Sequence, residues 1–361
     1  MKISLHYSHT FEQEFGGISR YLVELAKRIS LSNHQIKIFS GIYKNNYLSE
    51  LSFPLNEGIY SEGSSPQLHK LYGLISKKYK KVRNAIFKPE VFHLTHFSPY
   101  SFKPKNSIQV ITMYDLISEI FFRDQNYYKQ YFDMKQKSLS ESQHIIAISH
   151  HTKKDIMEVF NINSDDISVI HLGVNKPIQN VVQLNKVKED FILFVGRRGG
   201  PKNWENFLKA YSSSCLKNDF KIVAFGGGLP SSEDFEMIDR NCPGCVEFVS
   251  GDDKLLDLYY RSAKAFIYPS KYEGFGFPPL EAMMQSTPVF VSNVTSIPEI
   301  VGEAGFYFDP YDVDSIRDCL ESNIYDAESI DLKVSLGLER VKNFTWEACA
   351  DKTLALYESL I

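Results

Sequence analysis

The sequence predicts an α/β chain built from two doubly wound parallel-sheet domains. Three observations carry that prediction. Short apolar runs, rich in β-branched and aromatic residues, recur along the 361 residues, and they have the length of buried parallel strands. Stretches with helical spacing lie between them, and that alternation puts helices on both faces of a parallel sheet. The chain is also too long for one ordinary core and suits two.

The strands are read in order. ISLHY, IKIFS, VFHL, IQVITM, HIIAIS and ISVIHL fill the first half; FILFVG, KIVAFG, VEFV, AFIYP, PVFVS and FYFD fill the second. Among the helices, Ile18, Tyr21, Leu22, Leu25, Ala26 and Ile29 fall on one helical face. WENFLKAYSSSC, LLDLYYRSA and DVDSIRDCLESNI show similar spacing. The polar, proline-bearing stretch 175–190 reads as the linker between the domains. NNYLSELSFPLNEGIYSEGSSPQLHK is rich in Ser, Gly and Asn and is expected to be a long loop.

Composition excludes several classes. Hydrophobic residues make up 43% and charged residues 23%, normal for a folded globular chain. A net charge of -4 gives no global pull toward nucleic acid, which is not an expected partner. No apolar run approaches the ~20 residues that cross a bilayer, and MKISLHYSHTF lacks the apolar core of a signal peptide. The five cysteines, at 215, 242, 245, 319 and 349, are scattered. An odd, sparse count predicts reduced thiols and a cytoplasmic location. Cys242 and Cys245 form a C-x-x-C, but a zinc ribbon needs a second pair. The motif precedes VEFV, so it reads as a turn before a strand.

In an open parallel sheet, ligands bind beyond the carboxyl ends of the strands. After FILFV comes GRRGGPKNWENF. Gly196, Gly199 and Gly200 let backbone approach a ligand, Arg197 and Lys202 supply positive charge, and Asn203 is placed to cap the next helix. The set suits a diphosphate; the competing reading is a solvated turn with surface cations. After AFIYP comes SKYEGFGFPPLEAM. Gly274 and Gly276 can turn N–H groups toward a ligand, and Pro278 or Pro279 can open a helix. Glu273 ends the strand side of the loop, and Glu281 is expected in the first helical turn. Carboxylates at that spacing accept hydrogen bonds from vicinal hydroxyls, of which a sugar nucleotide offers two sets. A capping glutamate beside a surface glutamate is the competing reading. After ISLHY, Gly16 and Gly17 open the first helix, as an N–H cluster or as a plain tight turn.

Taken together, FVGRRGGPKNW, VIHLGVN and LYYRSAKAFIYPSKYEGFGFPPLEAMMQSTPVFVSNVTSIPEIVGEAGFYFDP resemble the signature blocks of the retaining glycosyltransferases of family 4. RGGPKN and GGISRY point to a mannosyltransferase-like branch. The resemblance covers almost the whole chain and is strongest from Phe191 to Pro310. It implies the GT-B fold: two Rossmann-like, doubly wound domains facing across a cleft. Residues 1–180 would bind the acceptor, residues 181–345 the sugar nucleotide, and a last helix, 346–361, would cross back to the first domain.

The same resemblance implies roles. Arg197 and Lys202 would hold and neutralise the departing diphosphate, with Gly196 beside them and Gly16 and Gly17 against the phosphates. Glu281 would bind the ribose. Glu273 would bind the donor sugar, with the amides of Gly274, Phe275 and Gly276. Phe248, Val249, Ser250 and Gly251 would line the base. Many relatives place a histidine, often as His-Asp, at the reacting end of the donor sugar; this chain has Tyr114-Asp115. A tyrosine is not cationic at neutral pH, so a donor lacking the hydroxyl that histidine meets, such as a 6-deoxy sugar, is one expectation. His93 and His96 are candidates for acceptor contact, against a reading as satisfied histidines of a strand and loop.

The implied reaction moves a sugar from a nucleoside diphosphate, GDP-mannose first, to a saccharide, often lipid-linked, with retention at the anomeric carbon. Surface polysaccharide assembly would be the setting. A catalytically impaired sugar-nucleotide binder is the alternative prompted by Tyr114. No cofactor is expected. No metal is expected either, because the one Asp-x-Asp, Asp312 and Asp314, reads as a helix cap. Finally, Lys77, Lys78, Lys80, Lys81, Arg83 and Lys88 lie among Leu68, Leu71, Tyr72, Leu74 and Ile75. A basic amphipathic helix over 68–88 suits an anionic membrane surface, peripheral on the inner face of the cytoplasmic membrane; a solvated surface helix is the competing reading.

Overall fold

The structure, a computed structural model, describes residues 1–7, 16–61, 66–97, 102–125, 128–175 and 190–361, with backbone alone for 66–70. The chain divides into two compact units. One comprises Met1–Gly173 and Thr345–Ile361; the other comprises Val174–Phe344. Of the expected linker, residues 176–189 lie outside the described residues.

The first unit holds β1 (Lys2–His6), β2 (Gln35–Tyr43), β3 (Asn56–Tyr60), β4 (Val91–Leu94), β5 (Ile108–Met113), β6 (His144–Ala147) and β7 (Ile167–Val169). They form one parallel sheet in the order β3-β2-β1-β4-β5-β6-β7. The second unit holds β8 (Phe191–Val195), β9 (Lys221–Phe225), β10 (Val246–Val249), β11 (Ala265–Tyr268), β12 (Val289–Ser292) and β13 (Gly305–Phe308). Its order is β10-β9-β8-β11-β12-β13, again parallel throughout. Strand order reverses between β1 and β4 in the first sheet and between β8 and β11 in the second. Those reversals are where an open α/β sheet leaves a crevice for ligand.

The twelve apolar runs all form strands; β3 is the exception that hydropathy did not reveal. The expected long loop contains a short helix (Asn46–Ser49), β3, and the start of the helix Pro66–Phe87. The strand NEGIY carries polar residues because partners elsewhere satisfy them. Asn56 Nδ2 donates to the Leu48 carbonyl at 3.1 Å. Buried Glu57 accepts from Lys37 at 3.0 Å and pairs with Arg83. No local pattern encodes those partners.

The cores are conventional. In the second unit Phe194, Trp204, Phe207, Ile222, Ile267 and Phe290 are buried together between sheet and helices. Burial of each large side chain contributes roughly 1.5–3 kcal/mol. In the first unit Phe92, Leu94, Ile111, Ile145, Ala147 and Ile156 do the same. Cys242 and Cys245 are joined by a disulfide, where reduced thiols were expected throughout. Gly244 at φ 72 and a Cys245 N–H bond to the Cys242 carbonyl close a turn that brings the two Cα atoms to 5.6 Å.

The final helix, Trp346–Leu360, packs on the first unit. Tyr21 and Trp346 rings lie 6.3 Å apart, and Arg28 Nη2 pairs with Glu347 at 2.9 Å. Gly173 makes this approach possible: a Cβ there would stand 2.2 Å from the Trp346 nitrogen and 2.6 Å from the Thr345 carbonyl carbon. Both are backbone atoms that cannot rotate away. Gly173→Ala is therefore expected to destabilise the chain by about 1–3 kcal/mol or more, lowering the urea midpoint. Hydrogen exchange should show protection lost first in residues 346–360.

Candidate functional site

The second unit builds its site at the carboxyl ends of β8 and β11. The turn after β8 becomes a short 3-10 segment, Gly200–Lys202, before the helix Trp204–Ser213. Lys202 Nζ lies 2.5 Å from Glu273 Oε1 and donates to the Tyr268 hydroxyl at 3.2 Å, above that ring. Burial, reinforced by the Glu273 carboxylate, keeps Tyr268 protonated far above its ordinary range. Arg197 is exposed and makes no hydrogen bond or ion pair with any described residue. Its neighbour Arg198 is the structural one. Its Nη1 and Nη2 donate to the Gly226 and Gly228 carbonyls at 2.8 and 2.9 Å, its Nε faces Asp234 at 3.3 Å, and its guanidinium covers the Phe248 ring.

Two expectations change here, for Asn203 and Glu281. Asn203 makes no side-chain cap. Its Nδ2 donates to the Pro269 carbonyl at 3.0 Å and the Pro310 carbonyl at 2.7 Å, tying the loops after β11 and β13 to the turn after β8. Glu281 stands one turn into the helix Phe277–Met284 rather than in its first turn, because Gly276 is the N-cap; its Oε2 accepts from the Tyr260 hydroxyl at 3.3 Å. The Phe275 side chain is buried against Phe277 and Phe344, so only its backbone can face a ligand.

Phe248 and Val249 are half-buried at the end of β10, with Ser250 and Gly251 exposed beyond them. Asp312 Oδ1 accepts from the Asp314 N–H at 2.9 Å as the N-cap of the helix Val313–Asn323, and Asp314 pairs with Arg317. Among the described residues no cluster of His, Cys, Asp or Glu could hold a metal.

The first unit has a separate cavity of about 290 Å³ at its own strand reversal. Tyr7, Ile18, His96, Phe97, Thr112, Tyr114, Asp115 and Lys135 are among the residues that line it. Aromatic side chains and hydrogen-bonding groups both contribute to its wall. Ile18 brings in the helix Gly17–Ile29, with Gly16 as its N-cap. Tyr114 donates its hydroxyl proton to the Thr95 carbonyl at 2.8 Å, and burial, then the nearby Tyr21 and Tyr7, hold the phenol un-ionised. Lys135 is buried and paired with Glu119 at 2.8 Å.

His93 is a correction. It does not line the cavity. It is fully buried, with Nδ1 2.6 Å from the Tyr357 hydroxyl and Nε2 2.8 Å from Thr112 Oγ1. A neutral ring donates to one and accepts from the other, which leaves nothing for an acceptor. The basic helix is corrected in part. Lys80 is buried and donates to the Tyr7 carbonyl at 2.8 Å, and Arg83 is held by Glu57. Lys77, Lys78, Lys81 and Lys88 are exposed, as are Leu71, Leu74 and Ile75; the Leu68 side chain lies outside the described residues. No helix among the described residues is long and apolar enough to cross a membrane.

Two doubly wound units in one chain, each with a strand reversal in its own sheet, are the architecture of the GT-B fold. Comparison with known proteins supports the class. Residues 15–176 match the model "Glycosyltransferase Family 4" and residues 175–331 the model "Glycosyl transferases group 1". O-antigen chain mannosyltransferase B of Escherichia coli is 28% identical, over 95% of this chain and 96% of that protein. O-antigen chain mannosyltransferase RfbU of Salmonella typhimurium is 30% identical over 59% of this chain and 60% of its own. Among solved structures, the sucrose-phosphate synthase of Thermosynechococcus elongatus has the same fold, with a TM-score of 0.78 at 20% identity, over 99% of this chain and 98% of that one. The two matches together span residues 15–331, and the chain belongs to glycosyltransferase family 4.

The burial of His93 has a measurable consequence. Burial lowers its pKa from the ordinary 6.5 to about 3. The unfolded chain binds this proton below 6.5 and the folded chain does not. The contribution is therefore complete above pH 6.5 and is lost as pH falls toward 3, at up to about 1.4 kcal/mol per pH unit. The urea midpoint is expected to fall between pH 6.5 and 4.5, and His93→Gln to flatten that fall.

Proposed function

We propose that this chain transfers a mannose-type sugar from a nucleoside diphosphate, GDP first, to a saccharide acceptor carried on a lipid. The setting we assign is bacterial surface polysaccharide assembly, such as O-antigen or capsule. The observation that carries the reading is the set Arg197, Lys202 and Glu273 at the reversal of the second sheet. An exposed guanidinium, a lysine and a glycine-rich turn ahead of a helix meet a diphosphate. Glu273 and Glu281 offer acceptors to hydroxyls, and the amides of Gly274 to Gly276 lie in the same loop. The O-antigen mannosyltransferase relatives support mannose and the pathway.

In this reading the bond from C1 to the diphosphate breaks as the acceptor oxygen bonds C1 from the same face, so configuration is retained. The acceptor's hydroxyl proton passes to the departing diphosphate. The chain's contribution is electrostatic: Arg197 and Lys202 stabilise the departing charge. No metal is assigned, since Asp312 is occupied as a cap. The cavity beside His96, Tyr114 and Asp115 is assigned to sugar hydroxyls.

A thermal-shift panel of GDP, UDP, ADP, CDP and dTDP tests the donor, since a ligand bound only by the native state raises the melting point. Turnover of GDP-mannose, with slow hydrolysis in the absence of acceptor, separates an enzyme from an impaired binder. Arg197→Ala with Lys202→Ala is expected to lower kcat/KM by about 100-fold, roughly 2.7 kcal/mol, and EDTA to leave the wild-type rate unchanged. Wild-type turnover in the double variant would sink the reading.

The lipid-linked acceptor is supported by the helix Pro66–Phe87. Leu71, Leu74, Ile75, Val82 and Ile86 are exposed, with Lys77, Lys78 and Lys81 exposed among and beside them. At 100° per residue the five apolar positions and Lys78 share one face, a surface for an anionic bilayer. Vesicles containing phosphatidylglycerol should sediment the protein and neutral vesicles should not. Changing Lys77, Lys78 and Lys81 to Gln should release it.

A further inference from the structure

We propose that Ser296 is a positioning residue that aims the Gly276 backbone amide at a hydroxyl oxygen of the donor sugar. The proposal rests on the donor-binding reading of the second unit. Ser296 is fully buried, in the turn between β12 and the helix Ile297–Val301. Its Oγ lies 2.8 Å from the Glu273 carbonyl and 2.8 Å from the Phe275 carbonyl. One hydroxyl proton is shared between them.

The consequence follows from peptide geometry. In a trans peptide the C=O and the following N–H point in opposite directions. Drawing the Phe275 carbonyl to Ser296 therefore turns the Gly276 N–H the other way, while the Glu273 carbonyl on the same hydroxyl anchors the loop ahead of it. Gly276 stands at φ 123 and ψ 57, which a residue with a Cβ rarely adopts. The neighbouring Thr295 fixes the start of the loop: its Oγ1 accepts from the Glu273 N–H at 3.2 Å, and it sits at φ 59.

The Gly276 amide matters because the helix behind it is poor in donors. Pro278 and Pro279 remove two of the first-turn N–H groups of Phe277–Met284. A helix N-terminus that would otherwise present its own donors depends here on the Gly276 amide, and hence on the hydroxyl that orients it.

Titration calorimetry of GDP and GDP-mannose against wild type, Ser296→Ala, Ser296→Cys and Ser296→Thr tests this. The readout is the ratio of the two Kd values, which a general loss of stability does not shift. Ser296→Ala should bind GDP within about twofold of wild type and weaken GDP-mannose about tenfold. Ser296→Cys, close in volume but a weak donor, should follow it, and Ser296→Thr should restore the ratio. An unchanged ratio in the Ala and Cys variants overturns the proposal alone. Equal loss of both ligands also overturns it, since the amide would then serve the diphosphate. A wild-type chain that binds neither ligand removes the donor reading and this proposal together.

Discussion

Where the strands of the second sheet end, the loops lose the backbone ladder, and the Asn203 carboxamide takes its place. Buried carbonyls need donors. One side-chain nitrogen supplies the Pro269 and Pro310 carbonyls, and Asn206 adds a bond to Pro310 at 3.1 Å. The Lys271 N–H closes the frame by donating to the Pro201 carbonyl at 2.7 Å. Lys202 and Glu273 meet only because these turns, 71 residues apart in sequence, are tied at their backbones. Asn is one of the few residues that can hold the left-handed conformation at φ 59 and still offer an amide.

That frame explains what the sequence could reveal. Apolar runs and helical spacing depend on local burial, so the strands from ISLHY to FYFD were legible. The pairing of glycines and charges after β8 and β11 was legible too, because the rule that ligands lie at strand carboxyl ends says where to look. Long-range hydrogen bonds were not. Asn203 before a helix looks like a cap until the carbonyls of residues 269 and 310 arrive. His93, on an apolar strand, looks like a candidate ligand contact until Tyr357 reaches it from a helix 264 residues later. Tyr268 and Ser296 carry no signal of their own. Tyr268 ends β11, so the same rule could have found it; Ser296 is visible only from the carbonyls it binds.

The first unit handles charge differently. Its cavity wall includes Lys135, but that ammonium is matched by Glu119 and capped by the Phe97 ring at 5.2 Å. A buried ion pair of this kind is weak evidence for stability, and its net charge is zero. Tyr114 is un-ionised and turned to Thr95, and the Asp115 carboxylate in the same wall accepts from the Ile117 N–H at 3.1 Å.

The turn after β8 treats its cations unequally. Lys202 faces Glu273, and Arg198 is buried among carbonyls and Asp234. Arg197 alone of these three cations stays exposed with no described partner. Two adjacent arginines of identical chemistry thus do opposite work. Arg198 fastens the turn to Gly226 and Gly228, and that fastening leaves Arg197 projecting from a rigid base. The fastening holds the backbone under Arg197, while its exposed side chain keeps rotamer freedom that gripping an anion would cost. Exchanging the roles is not possible at this turn, because Arg198 sits over Phe248 and faces the glycine carbonyls while Arg197 faces solvent.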